Sequence, residues 1–437
     1  MLRALARGER RSPSRQSKSR GTRPPGSAQG PLVIGYRLLV SLAAPVLLAL
    51  ALWRRLKGRE DGAALRDRLL GPGPPEGAIW IHGASNGELA SARPLIEALL
   101  ADPDRQLLIT ANTRTGRDLA AGWHLPRTQT GVAPFDLRLC TARTMARISA
   151  LVLLENEVWP NRIAMTQSRG LPLIFAGARM SARSARRWAR RPALARALLG
   201  GARLVAPQDS ASAARFRDLG VAPDRLLPPF QLKSLYLPRS APPDPALART
   251  FPRDASLLAA STHPGEEDIA LDAFGIARKH RPDLRLILVP RHPDRAPAIA
   301  RLAPMARRSL GEDPASHPVY LADTFGEMET WYRLAPVALV GGSLTETGGH
   351  TPYEPAALGC AILHGPHVAN FAEDYAHLDA GGGALQVSDA ASLAAGWLAH
   401  LDASAMPARA RGLLTPADPT EMIVRIEAAL RPRPPAA

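Results

Sequence analysis

From residue 78 onward one construction repeats: a short, continuous apolar run, a polar or glycine-bearing turn, then a segment of helical periodicity. In the first half the runs are "IWIHG", "LLIT" (107–110), "ALVLLE" (150–155), "LPLIFAGA" (171–178) and "ARLVAP" (202–207). The second half has "SLLAAS" (256–261), "LRLILVP" (284–290), "HPVYLAD" (317–323), "PVALVGG" (336–342), "CAILHG" (360–365) and "ALQV" (384–387). Strands that are apolar on both faces and alternate with helices build parallel α/β sheets covered on both sides. At 437 residues the chain exceeds one ordinary core. The proline-rich stretch "LPRSAPPDPALARTFPRD", residues 237–254, favours extended chain. The expectation is therefore two Rossmann-like, doubly wound domains, 58–236 and 255–437, joined by a linker at 237–254 and facing a cleft.

In open sheets of this kind ligands bind at the carboxyl edge of the strands. The residues expected there are Glu88, Glu155, Lys233, Thr262-His263, Arg291-His292, the loop "GGSLTETGGHTPYEPAALG" (341–359) and "GPHVANF" (365–371). Glu88 closes the sequence Ser85-Asn86-Gly87-Glu88 at the start of an amphipathic helix. That is the pattern of a capping box, in which serine takes a backbone N–H and glutamate reaches back to the N-cap N–H. Local sequence leaves cap and catalyst both open for it. Glu155 and Glu157 likewise read as either a solvated strand end or site residues. No GxGxxG follows a strand, no P-loop lysine motif occurs and no G-x-S-x-G elbow is present, so dinucleotide oxidoreductase, P-loop kinase and acyl hydrolase readings lose support.

Formal charge is +16, from 55 basic and 39 acidic residues. The first 31 residues hold Arg3, Arg7, Arg10, Arg11, Arg15, Lys18, Arg20 and Arg23 against Glu9 alone. The remainder is spread thinly, without the aromatic-basic stripe that stacks bases, so no nucleic-acid partner is expected. The tail 1–31 is too polar to bury a core and is expected to be disordered. Two distant cysteines, Cys140 and Cys360, fit a reducing compartment and exclude a cysteine-based metal site. Residues 32–53, "LVIGYRLLVSLAAPVLLALALW", form the one membrane-length apolar stretch, interrupted by Arg37 and Pro45 and followed by the basic border Arg54, Arg55 and Lys57. A membrane-anchor helix over 32–57 is expected, short of the roughly 20 uninterrupted residues of a full span, with a buried core helix and a signal peptide as the competing readings.

With these residues assembled, the chain resembles the lipid A Kdo transferases. These are inverting glycosyltransferases of GT-B fold that move 3-deoxy-D-manno-oct-2-ulosonic acid (Kdo) from CMP-Kdo to a lipid A precursor. The likeness runs from about residue 32 to the C-terminus. It rests on "WIHGASNGE", "LLENEVWPN", "GARMSARSARRW", "STHPGEE", "LVPRHP", "GGSLTETGGHTPYEPAALG" and "GPHVANF", in that order. The resemblance implies that Glu88 is the general base toward the acceptor hydroxyl and that Glu155 belongs to the acceptor pocket. Arg179 and Arg183, with Arg186 and Arg187, would face phosphorylated lipid A. Around the donor it implies Lys233, His263, Arg291, His292, Gly341, Gly342, Ser343, Gly348, Gly349, Glu354 and Asn370. Arg291 would grip an anion in bidentate fashion, and Lys233 would supply a point charge. The glycine turn and the helix start near Thr351-Pro352 would present N–H groups to phosphate, and Glu354 would bind the ribose. The helix N-terminus at Glu88 is expected to hold its carboxylate ionised and to lower its pKa.

No metal and no cofactor is expected beyond the donor substrate, and the expected location is the cytoplasmic face of the bacterial inner membrane. The chain departs from the family pattern at Asn86, where a small apolar residue is usual, at Thr351, where Asn is usual, and at Phe230-Gln231, which replace Gly-Asn. A GT-B paralogue with another sugar or lipid, or a non-catalytic binding module on the same fold, are the alternatives.

Overall fold

The computed structural model describes residues 31–431 apart from 59, 156, 239–241, 403, 416 and 417. All but the last residue of the expected basic tail therefore lies outside the described residues. The first sheet contains β1 (Ala78–Gly83), β2 (Leu107–Ala111), β3 (Thr128–Val132), β4 (Ile148–Leu154), β5 (Leu173–Ala178) and β6 (Leu204–Pro207), in the order β3-β2-β1-β4-β5-β6. The second contains β7 (Ser256–Thr262), β8 (Arg285–Pro290), β9 (Ala306–Arg307), β10 (Val319–Leu321), β11 (Val337–Val340), β12 (Ala361–His364) and β13 (Ala384–Gln386), ordered β13-β12-β11-β7-β8-β10-β9. Every strand pairing in both sheets is parallel. Each apolar run of the sequence forms a strand. The strand order reverses between β1 and β4 and between β7 and β11, and those two switch points are where crevices open beyond the carboxyl ends.

Alternation within each strand fills two cores. Ile79, Ile81, Ile109 and Val152 pack with Leu89, Leu95, Ile96 and Leu99 of the helix Asn86–Leu99. Trp80, Leu108, Leu151 and Phe175 pack on the opposite face. Each such fully buried aliphatic side chain contributes about 1.5–3 kcal/mol by leaving water.

Three boundaries differ from the sequence expectation. The linker is not extended throughout: Pro245–Thr250 is helical, capped by the Asp244 carboxylate on the Ala246 N–H at 2.7 Å, and Leu247 and Phe251 enter the second core. The second domain does not run to the C-terminus. Helix Thr420–Leu430 crosses back, buries Met422 and Ile426 in the first core, and ties Glu427 to Arg105 at 3.2 Å. The anchor is not one helix but two, Pro31–Leu42 and Ala44–Leu56, bent by 48°. Pro45, at the start of the second, has no N–H to continue the ladder of the first. No single helix among the described residues is long and apolar enough to cross a membrane. The first helix lies on the body, with the Tyr36 hydroxyl donating to Asp136 at 2.9 Å and the Arg37 Nε to Asn161 at 3.3 Å. Leu38, Leu39, Leu42, Val46 and Leu56 remain exposed along the pair.

Candidate active site

Glu88 enters the cleft on the first turn of the helix that follows β1. Ser85 is the N-cap in extended conformation, and its hydroxyl accepts the Glu88 N–H at 3.3 Å. The return bond differs from a capping box. Glu88 Oε2 accepts the N–H of Ala84 at 2.7 Å, one residue before the cap, so the carboxyl is drawn toward the end of β1. Its pKa is raised to about 8, the reverse of the helix-dipole expectation. Burial is the largest cause and the charge of Glu155 the next, with Glu157 adding to them; the Ala84 N–H and Lys233 oppose the rise. Withdrawal from water and two neighbouring carboxylates outweigh the field of one helix end.

Glu155 follows β4, the strand beside β1 at the switch point. It adopts a left-handed backbone, φ 46°, which costs about 1–2 kcal/mol for a residue with a Cβ. Its N–H bonds Ala176 and its carbonyl accepts the Arg179 N–H, so the turn is held from both sides. Its carboxylate meets the Lys233 ammonium at 2.8 Å. Lys233, expected on the donor side, thus bridges both: its ammonium also lies 5.1 Å from the Phe371 ring of the second domain. Burial raises the pKa of Glu88, Glu354 and Asp374 and lowers that of His350, and the Lys233 charge opposes the first three shifts and adds to the last. Glu157 does not face water as a strand end would. It accepts N–H groups from His82, Asn112 and Trp159.

Across the cleft, the glycine turn after β11 is built around an anion that is part of the chain. Glu266, fully buried, accepts the N–H of His263 at 2.9 Å, Gly342 at 2.7 Å, Ser343 at 2.9 Å and Leu344 at 2.8 Å. The N–H groups of Gly342 and Ser343 expected to cradle phosphate are therefore taken. Ser343 Oγ is engaged as well, donating to Val340 and accepting from Gly365. Gly341 must lack a side chain, since a Cβ there would stand 2.6 Å from the Ser261 carbonyl. The expected helix start is likewise closed by Thr351, whose hydroxyl accepts the Tyr353 N–H at 3.3 Å.

What remains open toward a donor is a cluster of side chains. His263 and His350 approach Nε2 to Nε2 at 2.9 Å, and the His292 ring lies edge-on to His263 at 5.8 Å. Burial lowers the His263 pKa and takes His350 down to about 3, with Arg291 reinforcing the fall at His350, so the pair is neutral and shares one N–H between its two nitrogens. Arg291 is exposed beside them. Burial raises Glu354 to about 7, against the pull of Lys233, while the charge of Glu329 adds to the rise and Arg291 opposes it. Asn370 stands over Gly348, where a Cβ would come within 2.7 Å of its amide, and bonds the Gly349 carbonyl at 3.0 Å. Its amide oxygen accepts from Arg179, so an acceptor-side and a donor-side residue of the sequence reading meet across the cleft. Arg183, with Arg186 and Arg187, lies exposed on the helix Ala182–Ala189.

The sequence reading passed over the role of Glu266. "HPGEE" reads as acidic residues on a first helical turn, and nothing in its spacing shows that the first of them turns inward.

Two Rossmann-like parallel sheets with their carboxyl edges on a charged cleft define the GT-B class. Anabaena HepE in complex with UDP-glucose shares the fold, with a TM-score of 0.56 over 81% of this chain and 99% of that one at 14% identity. The chain belongs to the 3-deoxy-D-manno-octulosonic acid transferase family. The family model described as 3-deoxy-D-manno-octulosonic-acid transferase (kdotransferase) matches residues 56–234. The transferase of that name from Bordetella pertussis is 34% identical over 86% of this chain and 92% of its own length. The one from Haemophilus influenzae is 33% identical over 73% and 77% respectively. The protein is a glycosyltransferase.

Proposed function

We propose that the protein transfers Kdo, with inversion, from CMP-Kdo to the lipid A precursor lipid IVA in lipopolysaccharide biosynthesis. The observation that carries this reading is the Glu88 carboxyl, tied to the Ala84 N–H at the β1–β4 switch point and raised to a pKa of about 8. A carboxylate so raised is a far better proton acceptor than an ordinary one, and general bases work best with a pKa near the operating pH. The acceptor hydroxyl is a very weak acid, so Glu88 takes its proton late, as the new C–O bond forms. The CMP phosphate departs on the opposite side. With the N–H groups of Gly342 and Ser343 held by Glu266, Arg291 and the Glu155-paired Lys233 neutralise the leaving phosphate, and the reaction then needs no metal. Lipid reaches the cleft from the cytoplasmic face of the inner membrane, held by the exposed leucines of the N-terminal helix pair and its basic border. Incubation of the purified protein with CMP-Kdo and lipid IVA tests the reading by product mass. A mass increase of one or more Kdo units supports it, and unchanged lipid alongside an active control transferase overturns it.

A further inference from the structure

We infer that Glu157 is a positioning residue for Glu88, a fixed negative charge that is bonded into the same strand ends as the base and sets its affinity for the proton. The inference rests on the reading of Glu88 as base. One oxygen of Glu157, Oε2, accepts from His82 Nε2 at 3.0 Å, from Asn112 Nδ2 at 3.2 Å and from the Trp159 indole N–H. The donors come from β1, from the end of β2 and from the turn after β4.

The direction of the first bond follows from the groups on both sides of the ring. Trp80 Nε1 donates to Thr110 Oγ1 at 2.7 Å, and His82 Nδ1 stands 2.9 Å from that hydroxyl and 3.2 Å from the Thr110 carbonyl. An ionised Glu157 oxygen 3.0 Å from Nε2 can only accept, which places the single proton of a neutral ring on Nε2. His82 then carries its proton on Nε2 and donates it to Glu157. The ring is fully buried, and burial with the nearby Arg162 lowers its pKa to about 4, so it stays neutral. A carboxylate oxygen that receives several N–H donors is held in its ionised form. Burial acts against ionisation of Glu157, yet the His82 and Trp159 N–H groups and the charge of Arg162 keep its pKa below the ordinary value.

A second linkage runs through the backbone. Asn112, which holds Glu157 by its side chain, donates its own N–H to the Ala84 carbonyl at 3.2 Å, and the Ala84 N–H holds Glu88. The two carboxyls are thus tied to one backbone residue, Ala84, through its N–H on one side and its carbonyl on the other. The other charges around Glu88 are accounted for. Lys233 is paired with Glu155. On the adjoining helix Arg114–Ala121, Arg117 is paired with Asp61 and Asp118, and Arg114 lies near Asp118. Glu427 of the C-terminal helix is paired with Arg105.

Glu157→Gln separates charge from position, because an amide oxygen still accepts all three N–H groups. The acid limb of its pH profile for kcat/KM is expected to move about one unit lower, with reduced activity on the plateau and an unchanged CMP-Kdo KM. Glu157→Ala, which removes the charge and the acceptor together, is expected to move the limb the same way, and it decides the matter if the glutamine variant does not fold. A limb at the wild-type position in the folded variants overturns the inference. Glu88→Gln is measured in parallel. If it keeps full turnover, the base reading itself fails. If it is inactive while the limb of Glu157→Gln stays in place, only the role given to Glu157 fails.

Discussion

Glu88 is held protonated over a pH range in which an ordinary glutamate is charged, and this has two measurable consequences. Glu88→Gln is expected to lower turnover about 10²–10⁴-fold, the usual size of a general acid–base contribution. It is also expected to change stability with a definite sign. The folded pKa of about 8 stands above the ordinary 4.5, so stability from this group is complete below pH 4.5 and is lost as pH rises through 8. Glutamine carries no such penalty. Thermal melts should therefore show the variant more stable than the wild type at pH 8 and above, with the difference vanishing toward pH 4.5; an advantage greatest at low pH would contradict the assignment. Glu266 supplies a prediction of another kind. Glu266→Ala leaves four backbone N–H groups without their acceptor. Each buried unpaired donor costs about 1–3 kcal/mol, so the melting temperature should fall by many degrees and formate or acetate should restore part of it by entering the vacated nest. Equal melting temperatures with and without added carboxylate would show that the turn holds its shape unaided.

At the scale of elements, the strands were legible wherever burial was complete, because a run such as "ALVLLE" has no other economical place than a covered parallel sheet. β3, "TQTGV", was missed for the converse reason: it is an edge strand whose first three residues are only half-buried, and its composition carries no apolar signal. The placement of residues directly after buried strands was likewise legible, with Glu88, Glu155, His263 and Arg291 all found at or just beyond strand ends. Those whose role depends on the direction of a side chain were not: Glu266 turning into the glycine turn, and Lys233 reaching the acceptor-side Glu155. The N-terminal helices show the same limit. Their composition signals an apolar segment with a basic border, but only the fold shows Tyr36 and Arg37 bonded to Asp136 and Asn161. Removal of residues 1–30 is expected to leave the melting temperature unchanged. Removal through residue 57 is expected to lower it, because the buried Asp136 loses the Tyr36 donor, a change worth about 1–3 kcal/mol. Aspartate at Leu38, Leu39 and Leu42, three exposed positions of the first helix, should instead spare stability and reduce co-sedimentation with anionic vesicles at least tenfold; undiminished co-sedimentation would place the lipid surface elsewhere.

For the molecule as a whole, the two halves meet through a few specific contacts at the cleft. Among the described residues they include Arg179 on Asn370, the Ser210 N–H on Glu373 at 3.2 Å, the Tyr236 hydroxyl on Glu329 at 2.6 Å, and Lys233 against Phe371. Arg179→Ala is expected to raise the CMP-Kdo KM about tenfold, the equivalent of roughly 1.4 kcal/mol for a lost charge-assisted bond. The radius of gyration measured by small-angle scattering should increase, and an unchanged radius would mean that this contact does not hold the halves together. Transfer is expected to persist in EDTA, and strict dependence on an added divalent ion would rule out neutralisation by Arg291 and Lys233 alone. The C-terminal helix bears on the same motion. Because Thr420–Leu430 returns to bury Met422 and Ile426 in the first core, the chain passes between the halves twice. A door on two pins swings about the line through them and resists twisting. The halves of this enzyme are joined in that way, and a chain cut before Thr420 is expected to retain one pin and lose the register of Arg179 on Asn370.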